Sequence, residues 1–525
     1  MSKKVPHPTA AAWRILAVVI VIQVFVFSLV MPFVPDDSYI SFRYAENLAN
    51  GNGLTYNSDD APLEGYSNFL WIVVLSTIHW VGLSLPTAAP LLGAFLGLLC
   101  TFLLWRLYQN DGLTGVALLI PLLVLCSAGP LVIYSVSGLE TPLFALLLLG
   151  LLWTARRTAD DGRTMDAVVF GTAGVLVSLC RPEGVIAFPV VAATVVFFRR
   201  DLFKTVAIAA GIFAVLYAVY TIWRVTYFGD FWPTPFLSKS AGGVGGFVEG
   251  WTKNLRQFFV MQGQGFPPTG FYFFGILLAA WIGWRRVKER IGIQSLAFIL
   301  ASVYVLVYFN FVDWMPGMRY HAPLIPLLLL PGALAVSGLA EKREGGESRT
   351  VTITLSAIIV LLSFAVLMPL RLSAHRLERG NQECLIALAD WLKNHVPPNP
   401  TLAVSDVGVI PYYTRFHTID INPESLTDRH IAHNGFSSEY FYSTQPDVLV
   451  LVSQGVYVPV FYPEHFALAE TNKFNATYRL IGVARYDWYR DRSYWVYLPK
   501  NTPPLSDEAF DSFPAGVGRL RQVQR

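Results

Sequence analysis

Residues 35–71 read PDDSYISFRYAENLANGNGLTYNSDDAPLEGYSNFLW, a polar stretch rich in carboxylates between two long apolar runs. Asp36 and Asp37 follow closely on a hydrophobic run, residues 13–31, long enough to span a bilayer. They therefore emerge where membrane meets water. Behind Pro35 the two aspartates can open a helix, because carboxylates suit the free N–H groups and the positive dipole end of a first turn. Ile40, Tyr44 and Leu48 recur every four residues and predict one apolar face, while Gly51 and Gly53 supply stop signals. The expected element is a short helix lying on the membrane surface.

The rest of the chain fits such a surface. Hydrophobic residues make up 54% of it and charged residues only 14%, with a mean hydropathy of +0.46. A soluble protein of that composition would have too little polar surface to face water, so a polytopic α-helical membrane protein is expected. The net charge of +3 and the lack of a basic run interleaved with aromatics argue against a nucleic-acid partner. Cys100, Cys126, Cys180 and Cys384 contain no CxxC pair, so neither a disulfide framework nor a zinc site is read from them. Lys3 and Lys4 precede the first apolar run as they would in a signal peptide. The run is too long for one and no small-residue cleavage site follows, so an uncleaved first span is expected.

Further apolar runs fall at 68–85, 87–107, 113–128, 140–155, 166–180, 184–198, 205–226, 270–284, 294–310, 322–340 and 350–370. Basic residues between them orient the chain: Arg156, Arg157 and Arg163, then Arg199, Arg200 and Lys204, then Arg285, Arg286, Lys288 and Arg290, then Lys342, Arg343 and Arg349. If every run crossed, the first three of these clusters would lie opposite Lys3 and Lys4. One early run must stay on the surface, and 68–85, short and carrying Asn68, Ser76, Thr77 and His79, is the one demoted. About eleven spans remain, with a first exoplasmic loop at 32–86 that holds two juxtamembrane helices. The N-terminus is then cytoplasmic and the C-terminus outside.

On that topology the acids and cations collect on the outer face: Asp36, Asp37, Glu64 and Tyr66, then Glu140 in YSVSGLETP, then Arg181 and Glu183 in CRPEG. Lys239 in FLSKSAGG and Asp313, Arg319 and His321 in NFVDWMPGMRYHAP join them. A charge near hydrocarbon costs roughly 2.5–3.5 kcal/mol unless paired or wetted, so such groups line cavities. Acids here could orient hydroxyls and accept a proton, while cations hold a phosphate. The plainer reading is salt bridging within the loops, Arg181 with Glu183 or Asp313 with Arg319. Asp36, Asp37, Glu140 and Asp313 could furnish oxygen ligands to a divalent cation, but with Arg and Lys available no catalytic metal or other cofactor is expected. Gly242 to Gly246 lack the lysine and hydroxyl of a phosphate-binding loop and read as a connector.

Near Arg371 the composition turns mixed, dividing the chain into residues 1–370 in the membrane and a soluble exoplasmic domain, 371–525. A helix from about 380 to 395, then TLAVSDVG, DVLVLV and SYWVYLP as strands, predicts a small α/β fold. Asp406, Tyr412 and Asp420 are read mainly as turn-shaping residues, with a place facing the active pocket or binding acceptor as the alternative, and His430 and His433 as surface residues.

The order of these features resembles the GT-C superfamily of polyprenyl-phosphate-dependent glycosyltransferases. DDSYISFRYAENLANGNGLTYN, EGYSNFLW, SGLETPLF, RPEG, TPFLSK and DWMPGMRYHAPLIP are similar to the branch of terminal arabinofuranosyltransferases of mycobacterial cell walls and related pilin-modifying enzymes. The likeness covers residues 10–340 and, in the tail, VSDVGVIPYYTRFHTIDINPESLTDRHIA, where this chain has Glu424, Ser425 and Leu426 in place of a glycine-leucine pair. It implies transfer of a sugar, D-arabinofuranose or else a hexose such as mannose, from a polyprenyl phosphate to a hydroxyl of a glycan or protein. The place implied is the outer face of a bacterial inner membrane, among membrane lipids. Asp36 is then the general base and Asp37 its neighbour that orients hydroxyls. Arg319, His321, Lys239 and Arg181 become phosphate ligands, and Tyr44, Tyr66 and Trp314 stack on sugar. Arg43, Glu64, Glu140, Glu183 and Asp313 complete the substrate-binding set. A transporter of lipid-linked sugars is the competing class, but it should show polar or broken segments at mid-membrane and internal repeats, which the sequence lacks.

Overall fold

The computed structural model describes residues 8–31, 33–235, 269–287, 292–308, 315, 318–341, 346–454, 462–486 and 492–514. Each apolar run of the sequence falls on a helix. Helix α1 (Ala10–Val30) leads into α2 (Asp36–Ala49) and α3 (Phe69–Trp80), followed by α4 (Leu85–Asn110), α5 (Gly115–Ser127), α6 (Gly129–Ser135), α7 (Thr141–Asp161), α8 (Thr164–Cys180), α9 (Ala187–Phe198) and α10 (Phe203–Phe228). Further helices cover Thr269–Trp284, Ile293–Tyr308, Ile325–Glu341 and Gly346–Gly380. By length and composition α1, α4 and residues 200–228 can each cross a membrane, and α5 with α6 forms a further candidate bent by 58°. The count of about eleven spans therefore rests on hydropathy. Helix α3 has 12 residues, about 18 Å, against a hydrocarbon layer of about 30 Å, and is too short to cross.

The loops at the two ends of the helices sort by charge partner. Arg156 Nη1 lies 2.8 Å from Asp111 Oδ1 and Arg157 Nη2 lies 3.4 Å from Asp166 Oδ1, while Gln294 also bonds Asp111. These loops share one end. Glu140, Arg181, Glu183, Arg319 and the start of α2 share the other.

Helix α2 opens as the sequence predicts, with extended Pro35 as N-cap and Asp36 and Asp37 in its first turn. It departs from expectation in burial. Every residue from Ser38 to Glu46 is buried, so α2 is no surface helix with a single apolar face. A helix buried all round must be covered on every side. Helix α3 packs on one side of α2 and the short helix Val409–Thr414 of the C-terminal region on another. Arg43 is the tie. It donates to the carbonyls of Tyr56 (2.8 Å), Pro411 (2.7 Å) and Phe416 (2.9 Å) and to Asn57 Oδ1 (2.9 Å). With its donors spent on backbone and amide acceptors, Arg43 is a structural residue rather than a substrate ligand. Arg43→Met strands these buried acceptors and is expected to cost about 3 kcal/mol or more. A thermal unfolding midpoint matching wild type in detergent would refute that role.

The helix Gly346–Gly380 runs on through a π-turn at Asn381–Ile386 into Ala387–His395, so the boundary placed near residue 371 falls inside a continuous rod. Beyond it lies a five-stranded sheet of order β2-β1-β3-β5-β4: β1 (Thr401–Val404), β2 (His417–Asp420), β3 (Val448–Gln454), β4 (Tyr478–Tyr486) and β5 (Arg492–Pro499). Strands β2, β1 and β3 are parallel, and β5 runs antiparallel to both β3 and β4. The predicted small α/β fold is present, with β2 and β4 added to the three strands read from the sequence.

Candidate active site

The short segment between α1 and α2 is held by backbone bonds. Val34 N–H donates to Glu378 Oε2 (2.9 Å) and its carbonyl accepts from Asn381 Nδ2 (2.8 Å). Asn381 belongs to the π-turn, a helix irregularity that often marks a functional position. This clamp sets where the first turn of α2 begins, and with it the two aspartates.

Neighbours on a helix point about 100° apart, and Asp36 and Asp37 face different partners. Asp37 Oδ2 lies 3.2 Å from Arg319 Nη1, a contact between residues 282 positions apart. Arg319 is buried and its Nη2 donates to the Tyr320 hydroxyl at 3.1 Å. The Tyr320 ring stands between two guanidiniums, 4.9 Å from that of Arg319 and 5.0 Å from that of Arg181. Arg181 Nε meets Glu183 Oε1 at 3.1 Å and Glu140 Oε1 at 3.4 Å. Glu140 also accepts from Asn68 Nδ2 (3.0 Å), and Glu183 from the Tyr308 hydroxyl (3.0 Å). Arg181 is 4% exposed, yet its Nη1 has no hydrogen-bond partner among the described residues. A buried donor left so is costly unless something else meets it.

Asp36 faces the C-terminal domain. Its Oδ1 accepts the Val409 N–H at 2.7 Å, and Gly408 lies so close that a methyl group there would run into the Asp36 carboxyl. Asp36, Asp406, Arg492, Tyr486, Tyr494 and Asn381 line one small cavity. Burial, with Asp406 and then Asp37 as like charges, pushes Asp36 up from 3.8 to about 7, against the opposing pull of the Val409 N–H and Arg492.

The structure thus brings together Asp37, Glu140, Arg181, Glu183 and Arg319, with Asp36 next to Asp37 on α2 but turned to the C-terminal domain. The plain reading of Arg181 with Glu183 as an ion pair is also right, as one part of the larger network. His321 lies beside it, its ring 5.5 Å from that of Tyr308, but burial pushes its pKa down to about 3. A neutral imidazole is no counter-charge for phosphate, so the expected cationic role of His321 is corrected. Tyr44, Glu64 and Tyr66 form a separate group. Tyr44 is eight positions along α2 from Asp36, about 12 Å at 1.5 Å per residue. Its hydroxyl donates to the Leu63 carbonyl (2.8 Å), Glu64 pairs with Arg224 (3.2 Å), and the Tyr66 ring packs edge-on against Tyr44. These residues shape the 51–68 loop instead of lining the acid–cation network. Lys239, Asp313 and Trp314 lie outside the described residues.

In the C-terminal domain, Asp420 shapes a turn as read, accepting the N–H groups of Asn422, Leu426 and Thr427. Tyr412 donates to Glu46. His430 and His433 are exposed; His433 Nε2 sits 3.2 Å from Asp230 Oδ1. Asp406 is no turn residue. It accepts from Arg492 Nη1 (3.1 Å) and the Tyr494 hydroxyl (2.8 Å) in the Asp36 cavity. The only signal for it was a charged residue just past the end of β1 in VSDVG. For Arg492 and Tyr320 sequence offered none.

Comparison with known proteins places this geometry. Residues 373–497 match a family described as a domain of unknown function, DUF8728. No curated protein sequence matches the chain. Among solved structures, ArnT from Cupriavidus metallidurans bound to undecaprenyl phosphate superposes with a TM-score of 0.55 at 15% identity, over 93% of this chain and 98% of that one. Its apo form gives 0.54 at 15% identity, over 92% and 97%. The arabinosyltransferase EmbB from Mycobacterium smegmatis gives 0.41 at 13% identity, over 72% of this chain and 41% of that one. The full-length superposition on ArnT, taken with the loop order and the helical membrane core, makes this chain a protein of the GT-C fold.

Proposed function

We propose that the chain is a glycosyltransferase that moves a sugar from a polyprenyl-phosphate donor to an acceptor hydroxyl. The observation that carries this reading is the contact of Asp37, the neighbour of Asp36 on α2, with buried Arg319, which shares the Tyr320 ring with buried Arg181, so that three separate loops meet. The acceptor oxygen forms a bond to the anomeric carbon as its bond to the phosphate oxygen breaks. The acceptor proton passes to the Asp36 carboxylate, and polyprenyl phosphate leaves with its charge balanced by Arg319 and the unmatched Nη1 of Arg181. A base titrating near 7 suits such work near neutral pH, and the rate falls as pH drops below that value. The ArnT structure of the same fold is bound to undecaprenyl phosphate, which supports the donor class.

The finer reading is D-arabinofuranose as the sugar, with a cell-envelope glycan or protein as acceptor. It places the site on the outer face of a bacterial inner membrane, with the C-terminal domain in the same compartment. This rests on the sequence resemblance and the loop charges. With two guanidiniums at the site the reaction is proposed to need no divalent cation. Incubation of the purified protein with a panel of polyprenyl-phosphate pentoses and hexoses, read by the mass of the acceptor, tests both points. The arabinose donor is expected to give product, and EDTA to leave the rate unchanged. Product from a hexose donor alone would reject the sugar, and loss of rate restored by a divalent cation would reject metal independence.

A further inference from the structure

The C-terminal domain turns residues 406–409 and the side chains of Arg492 and Tyr494 toward the first turn of α2. We propose that this domain is a working part of the active site: residues 405–409 fix the Asp36 carboxylate, and Asp406 and Arg492 act on it as positioning residues. The inference rests on the reading of Asp36 as the base.

Three observations carry it. The Val409 N–H bonds Asp36 Oδ1 at 2.7 Å across 373 positions of sequence, and the absence of a side chain at Gly408 lets the segment close on the same carboxyl group. The segment is itself anchored to the first loop, since the Tyr56 hydroxyl donates to the Val407 carbonyl. Asp406 enters the cavity beside Asp36 already bound to Arg492 (3.1 Å) and Tyr494 (2.8 Å), so its position is set by β5 and not by α2. The other polar groups facing Asp36 are Asp37 on its own helix, Tyr56 from the following loop, Tyr486 on β4, Tyr494 on β5 and Asn381 from the π-turn. Asp406 opposes a charge on Asp36 and Arg492 favours one. The C-terminal domain thus brings an anion and a cation of opposite effect to one carboxylate.

The two effects have opposite signs, and the test uses that. Full-length protein in lipid nanodiscs is assayed for transfer across pH, and the Asp36 carboxyl is titrated by infrared difference against Asp36→Asn. Asp406→Asn is expected to move the acid limb and the carboxyl titration down by about one pH unit, and Arg492→Gln to move both up. Gly408→Ala is expected to lower kcat with little change in donor KM, because it displaces the carboxylate without touching the cationic side. Variants that fold, retain or lose rate, and leave the Asp36 titration where wild type has it overturn the proposal. The infrared titration reports even if transfer is lost. Full activity of Asp36→Asn would reject the base reading separately, whatever the titration shows.

Discussion

Asp36→Asn is expected to lower the transfer rate about 100- to 10,000-fold, the range a positioned general base supplies, while leaving the protein folded. The amide keeps an oxygen to accept the Val409 N–H, so the clasp from the C-terminal domain survives. Only the ability to take a proton is removed. Stability should move the other way. Asp36 rises from 3.8 to about 7 on folding, so between those values the folded state binds the proton and the unfolded state does not. Burial of the charged carboxylate therefore disfavours folding above about pH 7, and that penalty fades as pH falls through 7 toward 3.8. Asparagine, never charged, should be at least as stable as wild type at pH 8 and should flatten this part of the pH dependence. Unfolding midpoints at pH 5 and pH 8, measured beside the transfer rate, check both halves. A variant that is equally folded and transfers sugar at the wild-type rate would remove Asp36 from the chemistry and shift attention to Asp37.

The second large effect is expected at Arg319. Arg319→Gln should reduce kcat/KM for the lipid donor about 100- to 1,000-fold, the size seen when one preorganised donor to a developing anion is removed. Arg319→Lys should recover part of it, since an ammonium restores charge but not the planar fork. A structural role must be separated from this one, because Arg319 is also the buried partner of Asp37 at 3.2 Å. Removing Asp37 or Arg319 alone is destabilising by itself, because Arg319 is buried and Asp37 half-buried. The double variant Asp37→Asn/Arg319→Gln removes both charges of this pair, so it should regain stability without regaining donor turnover. Recovery of both in the double variant would show that Arg319 only neutralises Asp37.

These two residues were within reach of the sequence, whereas the pairings they make were not. The aspartates were legible because they break a hydrophobic pattern at its end, where charge is costly without a purpose. Arg319 was legible for the same reason, as was the Arg181 and Glu183 pair. His321 looked equally promising as a cation, but burial pushes its pKa down to about 3, which leaves it hydrogen bonding and no charge. Its charge depends on how much water reaches it, which no neighbour in sequence reports. Arg43 is a similar case: a cation on a helix next to two candidate catalytic acids, yet it faces the Pro411 and Phe416 carbonyls. Asp406 was legible only as one of two readings, a turn former or a residue facing the pocket, because a lone Asp after a strand is usually a turn former. Only the docking of the helix Val409–Thr414 on α2, with Arg492 and Tyr494 of β5 holding the carboxylate, puts it beside Asp36.

By itself the sequence determined the membrane class, the order of helices, the start of α2 behind Pro35 and the small α/β domain after the last apolar run. Those properties follow from hydropathy and from spacing of a few residues, which are local. Tertiary structure alone decided which charged groups meet, with 282 positions between Asp37 and Arg319 and 373 between Asp36 and Val409. It also decided which of them keep their charge. The reason is that pairing and desolvation depend on what packs around a side chain, and on α2 that covering comes from the far end of the chain.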